Sequence, residues 1–214
     1  MAVKLQRIGY GQVERQHMAA PHNGQIYAQL PALDNEGKAI PQLENGQFLK
    51  YDYANGKAWV GTADDGKEWF LVYNEEKLYD ERRQNHKDFV MKASDMSDGK
   101  IYPRLLRTFV GDIFTTNTFR TASTTSGSGA EATTTYGNTV TGPDDVITIP
   151  NITDGDYVII NNEGWLEKSD TKPASGIVFQ VVPHFTQMNL KQNETKPDYT
   201  LPDGQWAVKL QRIQ

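Results

Sequence analysis

A two-residue turn sequence recurs along this chain and constrains its fold more than any other feature. Asn or Asp is followed directly by Gly at seven places. Glycine adopts positive φ angles without steric cost, and Asn-Gly and Asp-Gly are preferred centres of tight β-hairpin turns. The pattern therefore predicts short strands joined by tight turns. The pairs are Asn23-Gly24, Asn45-Gly46, Asn55-Gly56, Asp65-Gly66, Asp98-Gly99, Asp154-Gly155 and Asp203-Gly204.

Three of these turns begin at positions 45, 55 and 65, and the segments beside them are typical of strands. These segments are Gln47–Tyr53, Lys57–Val60 and Glu68–Tyr73, all rich in aromatic and β-branched residues. Strands alternating with tight turns predict a β-meander. Apolar residues alternate with polar ones in the first segment, which predicts one buried face, whereas the run Trp69–Tyr73 is continuously apolar and predicts burial on both faces.

Other segments add to an all-β prediction. Only Asn74–Asn85 has a helical pattern, with Asn74 as a candidate N-cap. The expected fold class is antiparallel β, arranged as a meander, a barrel or a sandwich. The further predicted strands are Phe89–Met91, Phe109–Thr115, Val146–Ile149, Tyr157–Ile160 and Ile177–Val182.

A segment of biased composition suggests how the chain is divided. Fourteen of the 21 residues in 121–141 are Thr, Ser or Gly, which is typical of a flexible loop or linker. It would separate an N-terminal β domain at 1–120 from a C-terminal β segment at 142–214. A long surface loop on a single β domain is the alternative.

Composition excludes several function classes. The chain has no cysteine, so it has neither disulfides nor thiolate metal sites. No apolar run approaches the ~20 residues of a membrane-spanning helix, and the N-terminus lacks the apolar segment of a secretion signal. Net charge is zero over 1–120, −7 over 121–170 and +2 over 171–214, so no basic patch predicts nucleic-acid binding. The acidic region is expected to face solvent.

Catalytic motifs are missing from the sequence. The four histidines show no metal-ligand spacing, and no nucleotide-binding or hydrolase signature is present. We therefore expect no enzyme activity, no cofactor and no metal. Carboxylates at Asp64-Asp65, Asp144-Asp145, Asp154 and Asp156 adjoin Gly or Pro, which is typical of turn formers. A carboxylate-based hydrolase, which needs two acids close together, is the minor alternative.

The sequence AVKLQRI occurs at both ends of the chain, at residues 2–8 and 207–213. In an extended segment alternate residues share a face. We interpret the two copies as equivalent strands, either edge strands of one sheet or arms that add a strand to a neighbouring subunit. Deletion of 207–214 should then weaken assembly. The candidate contact residues are Val3, Leu5, Arg7, Tyr10, Val208, Leu210 and Arg212.

Several segments resemble a group of small virion proteins, the head-associated structural proteins of tailed bacteriophages of Gram-positive bacteria. The segments are Val3–Gly11, Glu44–Tyr53, Leu71–Glu75 and Val110–Asn117. The resemblance implies a capsid auxiliary or decoration role without catalytic residues. It also implies the major capsid protein and further copies of the chain as partners, and the head surface of the virion as the location.

The aromatic residues suggest an alternative function. They cluster in the first half of the chain, where Tyr51, Tyr53, Trp59 and Trp69 are examples. Exposed rings of this kind would form a sugar-binding platform, as in a receptor- or glycan-binding β module of a phage tail or fibre. Packing in the core and between paired strands is the structural interpretation of the same residues.

Overall fold

A computed structural model describes most of the chain in ten ranges: 13–24, 26–27, 30–34, 36–60, 66–74, 90–119, 124–126, 133–135, 152–183 and 208–214. These residues form fifteen strands, one short helix, α1 (Ala19–His22), and a 3₁₀ turn at Ala93–Asp95. The strands are β1 (Val13–His17), β2 (Ile26–Tyr27), β3 (Gln42–Leu43), β4 (Phe48–Asp52), β5 (Lys57–Trp59), β6 (Trp69–Val72), β7 (Met91–Lys92), β8 (Leu105–Leu106), β9 (Ile113–Thr116), β10 (Thr124–Ser126), β11 (Thr133–Thr135), β12 (Tyr157–Ile160), β13 (Leu166–Ser169), β14 (Val178–Val181) and β15 (Val208–Arg212).

The strands pair into two large open sheets and two small ones. The six-stranded sheet has the order β1-β9-β15-β14-β12-β13, and the five-stranded sheet has the order β2-β8-β6-β4-β5. Each remaining sheet is a two-stranded pair, β3 with β7 and β10 with β11. All of these strand pairs are antiparallel, which confirms the predicted all-β antiparallel fold.

The predicted positive φ is confirmed at every turn glycine that the structure describes. Six of the seven predicted turn glycines lie in the described residues, and all six have positive φ, between 62° and 92°. The seventh, Gly204, lies outside them. A turn of this kind is decided by two adjacent residues, so local sequence is enough to predict it.

The three strands at 47–73 are adjacent and antiparallel, but their order differs from that of a simple meander. A meander would place β5 in the middle, whereas β4 pairs with β5 on one side and with β6 on the other. All five residues of β4 are buried, while β5 alternates between buried and half-buried. The middle strand of the three is covered on both faces. That position is occupied by β4, whose buried segment is longer than that of β5. Burial of β6 on both faces is confirmed.

The alternation predicted for the segment 47–53 is wrong on both faces. Tyr53, one of its apolar positions, is 70 % exposed, whereas the polar residue Asp52 is 3 % exposed and Lys50 is 1 % exposed. Its ammonium Nζ lies 4.5 Å from the centre of the Trp69 ring on neighbouring β6. A cation over an indole face is stabilised by the negative potential of the ring. This attraction offsets part of the free-energy cost of burying the charged side chain.

The suggested division at 121–141 does not separate two sheets. Strands β1 and β9 come from 1–120, strands β12 to β15 come from 142–214, and all six belong to one sheet. Within 121–141 the described residues form the β10–β11 ladder, in which Thr124 faces Thr135. The composition of this segment therefore predicted its polarity but not this pairing.

The helix predicted at 74–85 stays a prediction, because residues 75–85 lie outside the described ranges. Asn74 itself connects two loops. Its backbone N–H donates to Asn45 Oδ1 at 2.7 Å, and Asn45 Nδ2 donates back to its carbonyl at 3.1 Å. Its own Oδ1 accepts from the N–H of Arg104 at 2.7 Å.

The other predicted strands are found with adjusted ends. Strand β12 has the predicted bounds, and β14 lies within the predicted Ile177–Val182. The segment predicted from Phe109 begins its strand only at Ile113, because Phe109 and Asp112 close a turn first. Strand β7 starts at Met91, while the predicted Val146–Ile149 lies outside the described residues.

Three phenylalanines join the two large sheets into one core. Phe114 on β9 meets Phe179 on β14 edge-to-face, with ring centres 5.4 Å apart. Phe48 on β4 of the five-stranded sheet lies 5.9 Å from the same Phe179 ring. All three rings are fully buried. Aromatic pairs in such tilted arrangements add to the stabilisation from burial, so this contact holds the sheets together.

Candidate functional site

The predicted contact residues divide into two groups. Val3, Leu5, Arg7 and Tyr10 lie outside the described residues, so their contact role stays a prediction. The other three, Val208, Leu210 and Arg212, all lie on β15, inside the six-stranded sheet.

The interpretation of residues 207–213 as an edge strand or free arm is wrong, because β15 has a paired neighbour on each side. It pairs with β9 through Val208–Gln211 and with β14 through Leu210–Arg212. Val208 is 3 % exposed and Leu210 is fully buried. An interior strand has no free backbone edge to offer, so β15 serves the core of its own chain in this fold.

Arg212 is the last residue of this strand, and its side chain makes polar contacts. Its Nη1 donates to the carbonyl and, at 3.0 Å, to Oγ1 of Thr108, and its Nε donates to the carbonyl of Gln214 at 2.9 Å. Nη1 also lies 3.6 Å from Glu68, which pairs with Arg107 at 2.8 Å. Burial lowers the pKa of Arg212, while Glu68 opposes that shift. The cluster links the six-stranded sheet to the start of β6.

Asp112 plays a similar structural role beside it. This residue is 2 % exposed, and its carboxylate accepts from the backbone N–H groups of Ala19 and Phe109, both at 2.9 Å. Its backbone carbonyl accepts from the N–H of Arg212 at 2.9 Å. Asp112 therefore joins α1, the turn before β9 and β15. Sequence reasoning did not single it out, since nothing local distinguishes it from a surface aspartate.

The turn after β4 holds an ion pair between a buried carboxylate and a half-buried lysine. Asp52 is 3 % exposed, and its carboxylate lies 2.7 Å from Lys67 Nζ. The same carboxylate accepts from the side-chain amide of Asn55 at 2.7 Å and from its backbone N–H at 3.2 Å. Lys67 first, and Asn55 second, lower the pKa of Asp52 to about 2. This carboxylate is therefore held as an anion by structural contacts.

Acid should weaken this turn. Because the folded pKa of about 2 lies below the ~3.9 of an unpaired aspartate, the stabilisation is fully present above pH ~4 and is lost as pH falls toward 2. Asp52→Asn should therefore lower the melting temperature at pH 6 more than at pH 2.5. Thermal denaturation across this range tests it against Asp95→Asn, which changes an exposed aspartate. Parallel pH profiles for the two variants would contradict the prediction.

Aromatic and cationic side chains meet around the same hairpin. They are Tyr51, Tyr53, Lys57, Trp59 and Lys67. Tyr53 is 70 % exposed, and its ring stacks on that of Tyr51 at 5.3 Å and 15°. Lys57 Nζ lies 4.3 Å from the centre of the Trp59 ring, and Lys67 Nζ lies 5.9 Å from it. The indole face is thus taken up by cations, while the Tyr53 ring remains largely open.

The rest of the aromatic cluster divides between core and surface. Tyr51 and Trp69 are buried, as the packing interpretation predicted. Tyr73 is half-buried and stacks under the guanidinium of Arg15 at 4.5 Å. Among the aromatic residues of this group that the structure describes, Tyr53 is therefore the most accessible for recognition.

Carboxylates and histidines in the described part of the chain do not form a metal-binding cluster. No group of three or more His, Asp or Glu that could hold a metal ion is found there. His17 and His22 are exposed. Asp156 closes a turn by accepting from the backbone N–H of Thr153 at 2.9 Å. Lys168, 2.7 Å away, is the first cause of its lowered pKa. The pairs at 64–65 and 144–145 lie outside the described residues.

Two further findings bear on function. Across the described ranges, no helix has both the length and the apolar character required to cross a membrane. Comparison with protein-family models, with curated proteins and with solved structures gave no match.

Proposed function

We propose that this chain is a structural protein of a bacteriophage virion that binds the capsid lattice and stabilises or decorates the head. Its partners in this role are the major capsid protein and further copies of itself, on the head surface. The segments that resemble head-associated phage proteins support the proposal. Glu44–Tyr53 contains β4 and Val110–Asn117 contains β9, both interior strands of the large sheets.

The observation that carries the proposal is the arrangement of Tyr53. Its ring is 70 % exposed, yet it is held against Tyr51, which in turn meets Phe70 edge-to-face at 5.4 Å. An exposed ring that is already ordered loses little entropy on binding, and tyrosine is enriched among the residues that dominate interface energies. Tyr53 is therefore suited to be a preformed protein-binding anchor.

The proposed role is non-enzymatic, and the contacts of the two buried aspartates support this. Asp52 and Asp112 are the buried aspartates of the described residues, and each is engaged in contacts that hold turns and strands. A catalytic carboxylate would instead need to face a substrate. Many weak contacts repeated over a lattice are sufficient for stable attachment by avidity.

Co-sedimentation with capsids of the parent phage that lack this protein tests the proposal. The wild-type chain should bind saturably and raise the melting temperature of the shell. Tyr53→Ala should weaken binding by roughly 30-fold, the equivalent of about 2 kcal/mol for an interface anchor. Tyr102→Ala is the matched control, because Tyr102 is also exposed, at 43 %, but is hydrogen-bonded to Asp98 at 2.7 Å.

A second candidate function uses the same residue. The open face of Tyr53 also suits stacking against a sugar ring, as in a receptor- or glycan-binding module of a tail or fibre. Binding of the purified protein to host cells or glycans, lost in Tyr53→Ala, together with no binding to capsids, would favour this candidate over the head protein. Saturable capsid binding that is unaffected by Tyr53→Ala would keep the head role but remove Tyr53 as its anchor.

A further inference from the structure

Strand β15 occupies the space between β9 and β14, which we call the slot. The contacts of β15 show which side chains and backbone groups a strand in the slot needs. Val208 and Leu210 fill its buried side, and Arg212 makes the polar contacts at its end. Backbone atoms also bond along the slot; for example, the N–H of Val182 donates to the carbonyl of Lys209 at 3.0 Å. Any extended segment with Val, Leu and Arg at alternate positions would meet these requirements.

The chain carries a second segment that meets them residue for residue. Residues 3–8 repeat residues 208–213, so Val3, Leu5 and Arg7 match the three side chains that fill the slot. The residue after the occupant, Gln214, bonds through its backbone carbonyl and N–H, which Gly9 also possesses. The first copy therefore has the side chains and the backbone groups that the slot uses.

Geometry argues against the first copy entering the slot of its own subunit. Val13 and Val208 both pair with Thr116, from opposite sides of β9, so β1 and β15 are parallel and two strand spacings apart. An Ile8 placed where Ile213 lies would be ~17 Å along and ~10 Å across from Val13. The separation is then ~20 Å, whereas the five residue steps from Ile8 to Val13 span at most ~18 Å and must also pass around β9.

We infer that residues 2–8 of one copy exchange with residues 207–213 of a second copy in the slot between β9 and β14, which links subunits through a swapped strand. The occupant is a second copy of this chain, and the inference does not rest on a capsid role. Because the two segments make equivalent contacts, local concentration decides between them. The attached C-terminal copy has an effective concentration in the millimolar range, so exchange becomes substantial where subunits are crowded to similar concentrations.

The absence of cysteine allows a direct test by engineered disulfides in the full-length protein. Lys209 lies opposite Thr115 in the β9–β15 ladder, so Lys4 would lie opposite it after exchange. Thr115→Cys with Lys209→Cys should form a disulfide within one chain. This variant is the positive control for the geometry of the slot. Thr115→Cys with Lys4→Cys should form disulfide-linked dimers and longer species under oxidised glutathione, with a yield that rises from 10 µM to 1 mM, about in proportion to concentration at the low end.

Gln6→Cys with Thr115→Cys is the matched control. Gln6 corresponds to Gln211, which faces Ile113, two residues from Thr115. Its Cα would lie about 8 Å from that of residue 115, beyond disulfide range, so it should give far fewer linked species.

Substitutions in the two copies should then act in opposite directions. In the Lys4→Cys, Thr115→Cys protein, Leu210→Val should raise the linked yield severalfold, because it weakens the resident strand. Leu5→Val should lower the yield severalfold, because it weakens the incoming strand. Equal linkage through Lys4→Cys and Gln6→Cys, no linkage at 1 mM, or the same direction of change for both leucine variants would overturn the inference.

Discussion

Gly164→Ala is expected to lower the melting temperature by roughly 6–12 °C, corresponding to about 3 kcal/mol of unfolding free energy. Gly164 has a φ of 78°, where a Cβ costs ~1–2 kcal/mol. A Cβ there would also lie 2.2 Å from the backbone oxygen of Phe48. The turn would have to move away from β4, and the bond from the Phe48 N–H to the Gly164 carbonyl, now 2.8 Å, would be lost.

Gly37→Ala is the control that separates the two causes. Gly37 has a φ of 79°, and a Cβ there would have no atom within 4 Å. Its substitution should therefore show the backbone cost alone, about a third to two thirds of the effect at Gly164. Equal losses in the two variants, measured by thermal denaturation, would mean that the contact between the β12–β13 turn and β4 contributes nothing to stability.

Deletion of residues 207–214 is expected to abolish cooperative unfolding at low micromolar protein concentration. The deletion removes β15 from the interior of the six-stranded sheet, so β1 and β9 lose their connection to β14, β12 and β13. Burial of Val208 and Leu210 contributes ~1.5–3 kcal/mol each, and the backbone bonds on both sides contribute ~1 kcal/mol each. Their sum is comparable to the ~5–15 kcal/mol that stabilises a typical domain.

Point variants make this prediction measurable if the truncated chain cannot be purified. Leu210→Ala should cost ~2–5 kcal/mol, because Leu210 is fully buried. Val110→Ala should change stability by less than ~0.5 kcal/mol, because Val110 is 67 % exposed. A truncated protein that still melts cooperatively at the wild-type temperature would restore the edge-strand interpretation of this segment.

The candidate site was predictable only in its local parts. The aromatic character of the hairpin is evident from Tyr51, Tyr53 and Trp59, but which ring is exposed depends on the neighbours that β4 acquires. Lys57 and Lys67 take up the Trp59 face, and Phe70 covers Tyr51, so Tyr53 is left open. The partners of Arg212 lie 104 residues away, at Thr108, and 144 residues away, at Glu68, and no local pattern indicates them.

Turns and strand content are determined by the sequence alone, because each depends on residues that are near neighbours in the chain. The Asn-Gly and Asp-Gly pairs predicted six positive φ angles correctly, and the apolar run at Trp69–Tyr73 predicted a strand buried on both faces. These outcomes follow from steric freedom at glycine and from the two-residue period of a strand.

Tertiary structure alone decided which strands became neighbours. The order β5-β4-β6, the joining of both halves in one sheet and the interior position of β15 all depend on competition among many strands for the same hydrogen-bonding edges. The repeated AVKLQRI shows why local pattern cannot resolve that competition. Identical residues have identical propensities at both ends of the chain, and the place of the C-terminal copy is set by β9 and β14, which lie on either side of it.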